Sequence, residues 1–265
     1  MAVKRSDAIV IGYYPLGETD RIVVFFTKDY GKIRAVAKGV RRLKSRLCGR
    51  VEILTHGDLI FFERTGKDLH SINTFDIIET FQTLREDLLK MAYCSYMAEL
   101  IQQVTSDSQS DTDIFDLMLN TMSAMKESDV PEMLVRVFEI RLLEKIGLNP
   151  RLDSCIVCSG GINDEDPRFS VRAGGVLCDK CSKSGHYSVV ISQGTLDLMR
   201  RIREIPFELI TVLETTEANK QEMKRLLSGF ISFHVDVKNL RSLRFLESIE
   251  SEYRGDMKVA NESDK

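Results

Sequence analysis

No apolar run in the chain approaches the roughly 18 residues that a membrane-spanning helix requires. The opening stretch "MAVKRSDAIVIGYY" holds too few consecutive apolar residues for a secretory signal, and no small-residue cleavage site follows it. A cytosolic chain is therefore expected. Catalytic signatures are missing as well: there is no G-x-x-x-x-G-K-[ST], no G-x-G-x-x-G, no G-x-S-x-G and no H-E-x-x-H. Histidine is scarce, with His56, His70, His186 and His234 scattered along the chain, so no His-centred acid–base group is evident. The acidic "NDEDP" at 163–167 lacks the ligand spacing of an EF-hand and reads as a solvated loop. With no repeats or low-complexity tracts either, these gaps favour a binding protein over a catalyst.

What is present suffices for a core. At 265 residues, 43% hydrophobic and 29% charged, the chain has the composition of a soluble globular protein and room for about two domains. Its net charge of −3 conceals an asymmetry. Residues 28–50 carry nine Lys and Arg against one Asp, a local +8, which leaves −11 for the remainder. Inside that stretch "KGVRRLKSR", residues 38–46, packs five cations into nine positions. Such an excess is the footprint of a phosphate-binding surface, and a loop kept soluble by its charge is the plainer alternative.

Residues 8 to 75 alternate as short strands rich in Val, Ile, Phe and Tyr: "AIVIGYY", "RIVVFFT", "KIRAVAK", "VEILTH", "DLIFFER" and "LHSINTF", with Gly17, Gly31, Gly57 and Gly66 between runs. Five or six short strands in so few residues suggest a small closed barrel, because open edges would otherwise invite pairing. The OB-fold is the natural candidate and an SH3-like barrel the rival. From about residue 83 the period becomes helical. "TLREDLLKMAYCSYMAELIQQV" puts Leu84, Leu88, Met91, Ala92, Leu100, Ile101 and Val104 on one stripe, and Asp111 or Asp113 can cap the next helix. Pro131 and Gly147 bracket a third helix, and Ser192 can cap a fourth. The fold class is α+β, with an N-terminal OB-type barrel over 1–80, a helical domain over 81–250 and a polar C-terminal tail over 251–265.

Of six cysteines, "CIVC" at 155–158 and "CDKC" at 178–181 form C-x2-C-x19-C-x2-C. That is the spacing of a four-thiolate zinc site, each short pair turning two sulfurs toward one face. Cys155, Cys158, Cys178 and Cys181 are thus expected to hold one structural Zn2+ in a ribbon over 152–184, with a hairpin turning at Gly174 and Gly175. Four protein ligands leave no open position for catalysis. A redox pair is the alternative, but no βαβ unit precedes "CIVC". Cys48 and Cys94 stand apart and are expected to be buried or half-buried apolar residues.

In an OB barrel the basic run would fall between the third and fourth strands and flank the groove. Such barrels combine a basic track with aromatic faces for bases, and Tyr13, Tyr14, Phe25, Phe26, Phe61 and Phe62 are available. Alternation sends about half of them into the core.

Taken together, "LGETDRIV", the "KGVRR-KSR" run, "GLNPRLDSCIVC", "GGVLCDKC" and "LRSLRFL" resemble one family over nearly the whole chain, the bacterial recombination mediators called RecO. The resemblance implies an OB-fold joined to a helical domain with a zinc ribbon, and no enzymatic activity. It implies binding to ssDNA and dsDNA, annealing of complementary strands, and loading of RecA, together with RecR, onto ssDNA coated by single-strand-binding protein, whose C-terminal tail is a further partner. Carried onto this chain, the DNA-binding residues are Lys38, Arg41, Arg42, Lys44 and Arg46, with Arg21, Arg34, Arg241 and Arg244 as additions. The alternatives are a zinc-ribbon nucleic-acid enzyme such as a nuclease, and a transcription-type adaptor. A nucleoid-associated, cytoplasmic location follows from the resemblance.

Overall fold

The computed structural model describes residues 2–42, 44–64, 66–107, 109–162, 167–213, 215–235 and 240–250. The polar tail at 251–265 and the acidic positions 163–166 lie outside them. Two compact units divide the chain, one formed by Met1–Met122 with Asn239–Lys265, the other by Ser123–Lys238.

In the first unit, strands β1 (Ala2–Leu16), β2 (Asp20–Thr27), β3 (Gly31–Ala37), β4 (His56–Glu63) and β5 (Leu69–Glu79) form a closed barrel of order β1-β2-β3-β5-β4. β1 pairs antiparallel with both β2 and β4, which closes the ring, while β3 and β5 run parallel from Arg34↔Leu69 to Val36↔Ser71. Closure leaves no long open edge to protect. Alternation fills the interior with Val10, Val23, Phe25, Ile33, Ala35, Ala37, Leu59, Phe61 and Phe75. Phe26, on the opposite face from Phe25, is also buried because its ring packs 6.0 Å from that of Phe115. A helix therefore covers part of the barrel's outer surface, and adjacent strand residues are both apolar there.

The fourth expected strand, "VEILTH", is not one. Residues 51–55 are turns, and β4 begins at His56. Val51 and Leu54 are both fully buried, three residues apart, which is turn spacing and not strand alternation. Leu54 sits at φ 69 and its N–H donates to the Val10 carbonyl, while the Val10 N–H donates to that of Thr55. Extended pairing is impossible at that φ, so the run adds no strand and instead buries Val51 against the barrel core.

The helical stripe from residue 83 is also interrupted. α1 (Gln82–Glu86) ends at Asp87, whose extended backbone and carboxylate, accepting from the N–H groups of Leu89 and Lys90, start α2 (Leu88–Val104) afresh. The restart changes the phase, and Leu88 is 47% exposed instead of buried. α3 (Thr112–Glu127) begins where the Asp111 carboxylate accepts the Ile114 N–H.

In the second unit α4 (Pro131–Lys145) has Pro131 in its first turn and stops before Gly147, at φ 76. β6 (Arg168–Ser170), β7 (Gly175–Leu177) and β8 (Val189–Val190) form a three-stranded sheet of order β7-β6-β8, with the short α5 (Asp179–Ser182) after β7. The β6–β7 hairpin turns over 171–174 with Gly174 at φ 88, as the glycine pair predicts. α6 (Gln193–Glu204) starts from Ser192, whose Oγ accepts the Thr195 N–H, and α7 (Glu217–His234) from Thr216. A last helix, α8, covers residues 241–250 and belongs to the first unit.

Candidate nucleic-acid and metal sites

The segment between β3 and β4 holds the basic run. Its N–H groups from Arg42, Ser45, Cys48 and Arg50 donate to carbonyls three residues back, so it advances by successive turns and not as a regular helix. Val40 and Val51 are buried beneath it and Leu47 packs on the barrel core. The segment is thus seated by its apolar residues, and the cations between them point to water. Lys38, Arg41, Arg42, Lys44 and Arg46 are all exposed, and none forms an ion pair among the described residues. Two contacts fix the start of the loop: Asp20 accepts the Gly39 N–H at 2.7 Å, and the Arg41 N–H donates to the Thr19 carbonyl at 3.1 Å. The hydrogen bond from Gly39, then that from Thr19, and then the charges of Arg42 and Lys38 hold the Asp20 carboxyl below its ordinary range. Asp20 lies within "LGETDRIV", and its anchoring role carried no local signature.

Arg21 and Arg34 are placed differently. The Arg21 guanidinium pairs with Glu52 at 3.2 Å and lies 4.2 Å from the centre of the Tyr13 ring. Arg34 pairs with Asp107 at 3.3 Å. Both charges are neutralised by carboxylates distant in sequence. Arg241 and Arg244, three residues apart on α8, are exposed on a helix whose start is held by Glu99, which accepts the N–H groups of Arg241 and Ser242. Of the aromatics, Phe25 and Phe61 are inside the barrel, Phe26 is buried on its outer face against Phe115, and Tyr13 and Tyr14 are exposed.

The four paired cysteines converge, with their sulfurs all within 4.8 Å of one another. In the first knuckle the Ser159 N–H donates to the Cys155 carbonyl and the Cys155 N–H to that of Gly160, with Ser159 itself at φ 58. In the second, the Ser182 N–H donates to the Cys178 carbonyl at the start of α5. The knuckles are joined where Ile156 N–H donates to Val176 and Val176 N–H to Arg151. Gly175 is needed there, since a Cβ would overlap the Arg151 carbonyl. Cys158 and Cys178 sulfurs lie 3.7 Å apart across the knuckles. A metal bonded to four thiolates at about 2.3 Å in tetrahedral geometry places sulfurs about 3.8 Å apart, so the donor set fits.

The electrostatics of the thiols reflect the same crowding. Burial opposes ionisation of Cys155, but N–H groups of Cys158, Cys178 and Val157 outweigh it and bring the thiol to about 6. Cys181 is pushed up to about 12, first by its hydrogen bond to Cys178, then by burial and the neighbouring sulfurs. Cys155 and Cys181 are thus pushed in opposite directions, a conflict that a bound cation would remove. Cys94 is buried, which raises it to about 12. Cys48, expected to be at least half buried, is exposed on the basic loop, because Leu47 takes the inward position.

The histidines do not converge. His56 faces Asp7, His70 accepts the Arg64 N–H, and His234 meets the Val171 carbonyl. The described residues thus gather exposed cations in one unit and four sulfurs that could hold a metal ion in the other.

Comparison with known proteins agrees. A family model described as "Recombination protein O N terminal" matches residues 1–81, and one described as "Recombination protein O C terminal" matches 85–244. The chain is 33% identical to the DNA repair protein RecO of Alkaliphilus metalliredigens over 246 residues, covering 92% of this chain and 99% of that one. It is 32% identical to that of Symbiobacterium thermophilum over 259 residues, 95% and 99% of the two chains. The chain belongs to the RecO family. It is a DNA repair and recombination mediator and not an enzyme. No helix among the described residues is long and apolar enough to cross a membrane.

Proposed function

We propose that the barrel is an OB-fold whose loop of residues 38–46 clamps the phosphates of single- and double-stranded DNA. One observation carries this reading: five exposed cations, Lys38, Arg41, Arg42, Lys44 and Arg46, stand on a seated loop without acidic partners among the described residues. The strand order and the parallel β3–β5 contact support the OB assignment. Lys and Arg of this kind contact phosphate and carry little sequence information, so binding is largely indifferent to sequence. Arg241 and Arg244, both exposed, add to the surface; Arg21 and Arg34 are paired with Glu52 and Asp107.

Annealing follows from the same charges. Two strands repel, and a protein that neutralises both lets complementary bases sample one another. In this reading the barrel over 1–80 does that work. The helical domain over 81–250 carries the ribbon over 152–184 and the apolar, cation-edged pocket needed for the tail of single-strand-binding protein. RecR then joins the chain to load RecA in the nucleoid-associated cytoplasm. The ribbon's metal is zinc, since four thiolates in tetrahedral spacing suit that soft, redox-silent ion.

The test is incubation of labelled complementary strands with the protein and magnesium. Accelerated duplex formation with full-length strands is expected. Shortened strands would instead establish a nuclease, and no change in either would leave the chain as an adaptor.

A further inference from the structure

The basic surface has an end, and a carboxylate stands at it. Along β3, Ile33, Ala35 and Ala37 belong to the barrel core. Arg34 and Val36 therefore take the outer face, which leads to Lys38 about 13 Å beyond Arg34. Arg34 would extend the phosphate track along the strand, but its Nη2 lies 3.3 Å from Asp107 Oδ2.

Asp107 is held there by more than this pair. Its Oδ1 lies 3.1 Å from Lys32 Nζ. That ammonium, 9% exposed, also donates to the carbonyls of Gln102 at 2.8 Å and Thr105 at 3.0 Å at the end of α2. The backbones of Lys32 and Asp107 form a parallel bridge. Gln109 lies so close to the β2–β3 turn that a Cβ at Gly31 would overlap its carbonyl. Lys32 is thus a fixed, buried anchor, while Arg34, 44% exposed, is the partner free to exchange. An exposed pair of this kind is weak, so it sets a modest cost on any phosphate contact at Arg34 and does not block the residue outright.

Resting on the DNA-binding reading above, we propose that Asp107 is an anionic stop on the phosphate track. It withholds Arg34 from the strand and so limits both the affinity and the length of strand engaged. A strand phosphate reaching this point competes with Oδ2 for the same guanidinium, and the carboxylate repels it.

The test measures binding of a labelled oligothymidylate over a range of salt for the full chain, Asp107→Asn, Arg34→Gln, the double variant, and Glu86→Gln as a charge control elsewhere on the same unit. Asn at 107 keeps an acceptor for Lys32 and removes the charge. Freeing one cation for phosphate steepens the log–log salt slope by about 0.7 and raises affinity about fivefold at about 0.1 M salt. Arg34→Gln alone should change little, and in its background Asp107→Asn should lose its gain. Should Asp107→Asn lower the melting temperature, Asp107→Ser repeats the measurement with a shorter acceptor. A gain no larger than that of Glu86→Gln, or one that persists without Arg34, overturns the stop and leaves DNA binding by the loop intact. Absence of strand affinity in the unaltered chain overturns both.

Discussion

The basic loop of the barrel and the cysteine knuckles of the ribbon pose one problem, like groups crowded into a short irregular segment, and solve it in opposite ways. In the loop, five cations are spread over turns whose apolar residues, Val40, Leu47 and Val51, are seated on the barrel. Each charge keeps its water, and the fold needs no counterion to hold the loop. In the ribbon, four thiols are drawn within 4.8 Å, and the hydrogen bond to Cys178, then burial and the other sulfurs, push Cys181 up to about 12. A cation bound among its sulfurs would relieve that cluster. Preformed packing leaves charge available for a ligand, whereas crowding builds a site suited to a metal ion.

Removing the metal should therefore break one region and spare the other. Chelation, or Cys155→Ser with Cys178→Ser, is expected to abolish bound metal and amide protection across 152–190, because binding in comparable sites contributes about 10–16 kcal/mol. The salt slope of strand binding should not move. Retained protection after metal loss would mean that the ribbon's hairpin and hydrogen bonds hold it unaided.

The converse change is smaller. Replacing Arg41, Arg42 and Lys44 with Ala removes three exposed cations. The log–log salt slope on single strands should fall from about −3.5 to about −1.4, with affinity roughly a hundredfold lower near 0.1 M salt. The melting temperature should stay put, since these side chains are exposed. An unchanged slope would reduce the cluster to a solubilising face.

The two regions also differ in how far sequence exposes them. Cysteine spacing encodes a local geometry, so the ligand set, the hairpin at Gly174 and the caps at Asp111 and Ser192 were legible from short windows. The basic run was legible as charge, and its place between the third and fourth strands as order. What windows miss is phase and partnership. Val51 and Leu54 look like strand residues until the turn at Leu54 is known, and Leu88 looks interior until Asp87 restarts the helix. Nothing near Arg21 or Arg34 announces Glu52 or Asp107, which lie 31 and 73 positions away and arrive only through the tertiary fold.

That last difference carries the smallest effect and the sharpest distinction within the basic surface itself. Arg21 has a carboxylate at 3.2 Å and an aromatic face beneath it, so it is charge in sequence but not in the field that a strand meets. Replacing Arg21 alone would unmask Glu52 and confuse two effects. The double variant Arg21→Gln with Glu52→Gln removes the pair without altering net charge. A pair neutralised internally releases no counterion when DNA binds, so the slope should stay within about 0.3 of the unaltered chain. A slope flatter by about 0.7 would show that Arg21 leaves Glu52 for phosphate, in which case the exposed ring of Tyr13 becomes a stacking face for a base and the clamp reaches from the loop onto the barrel wall.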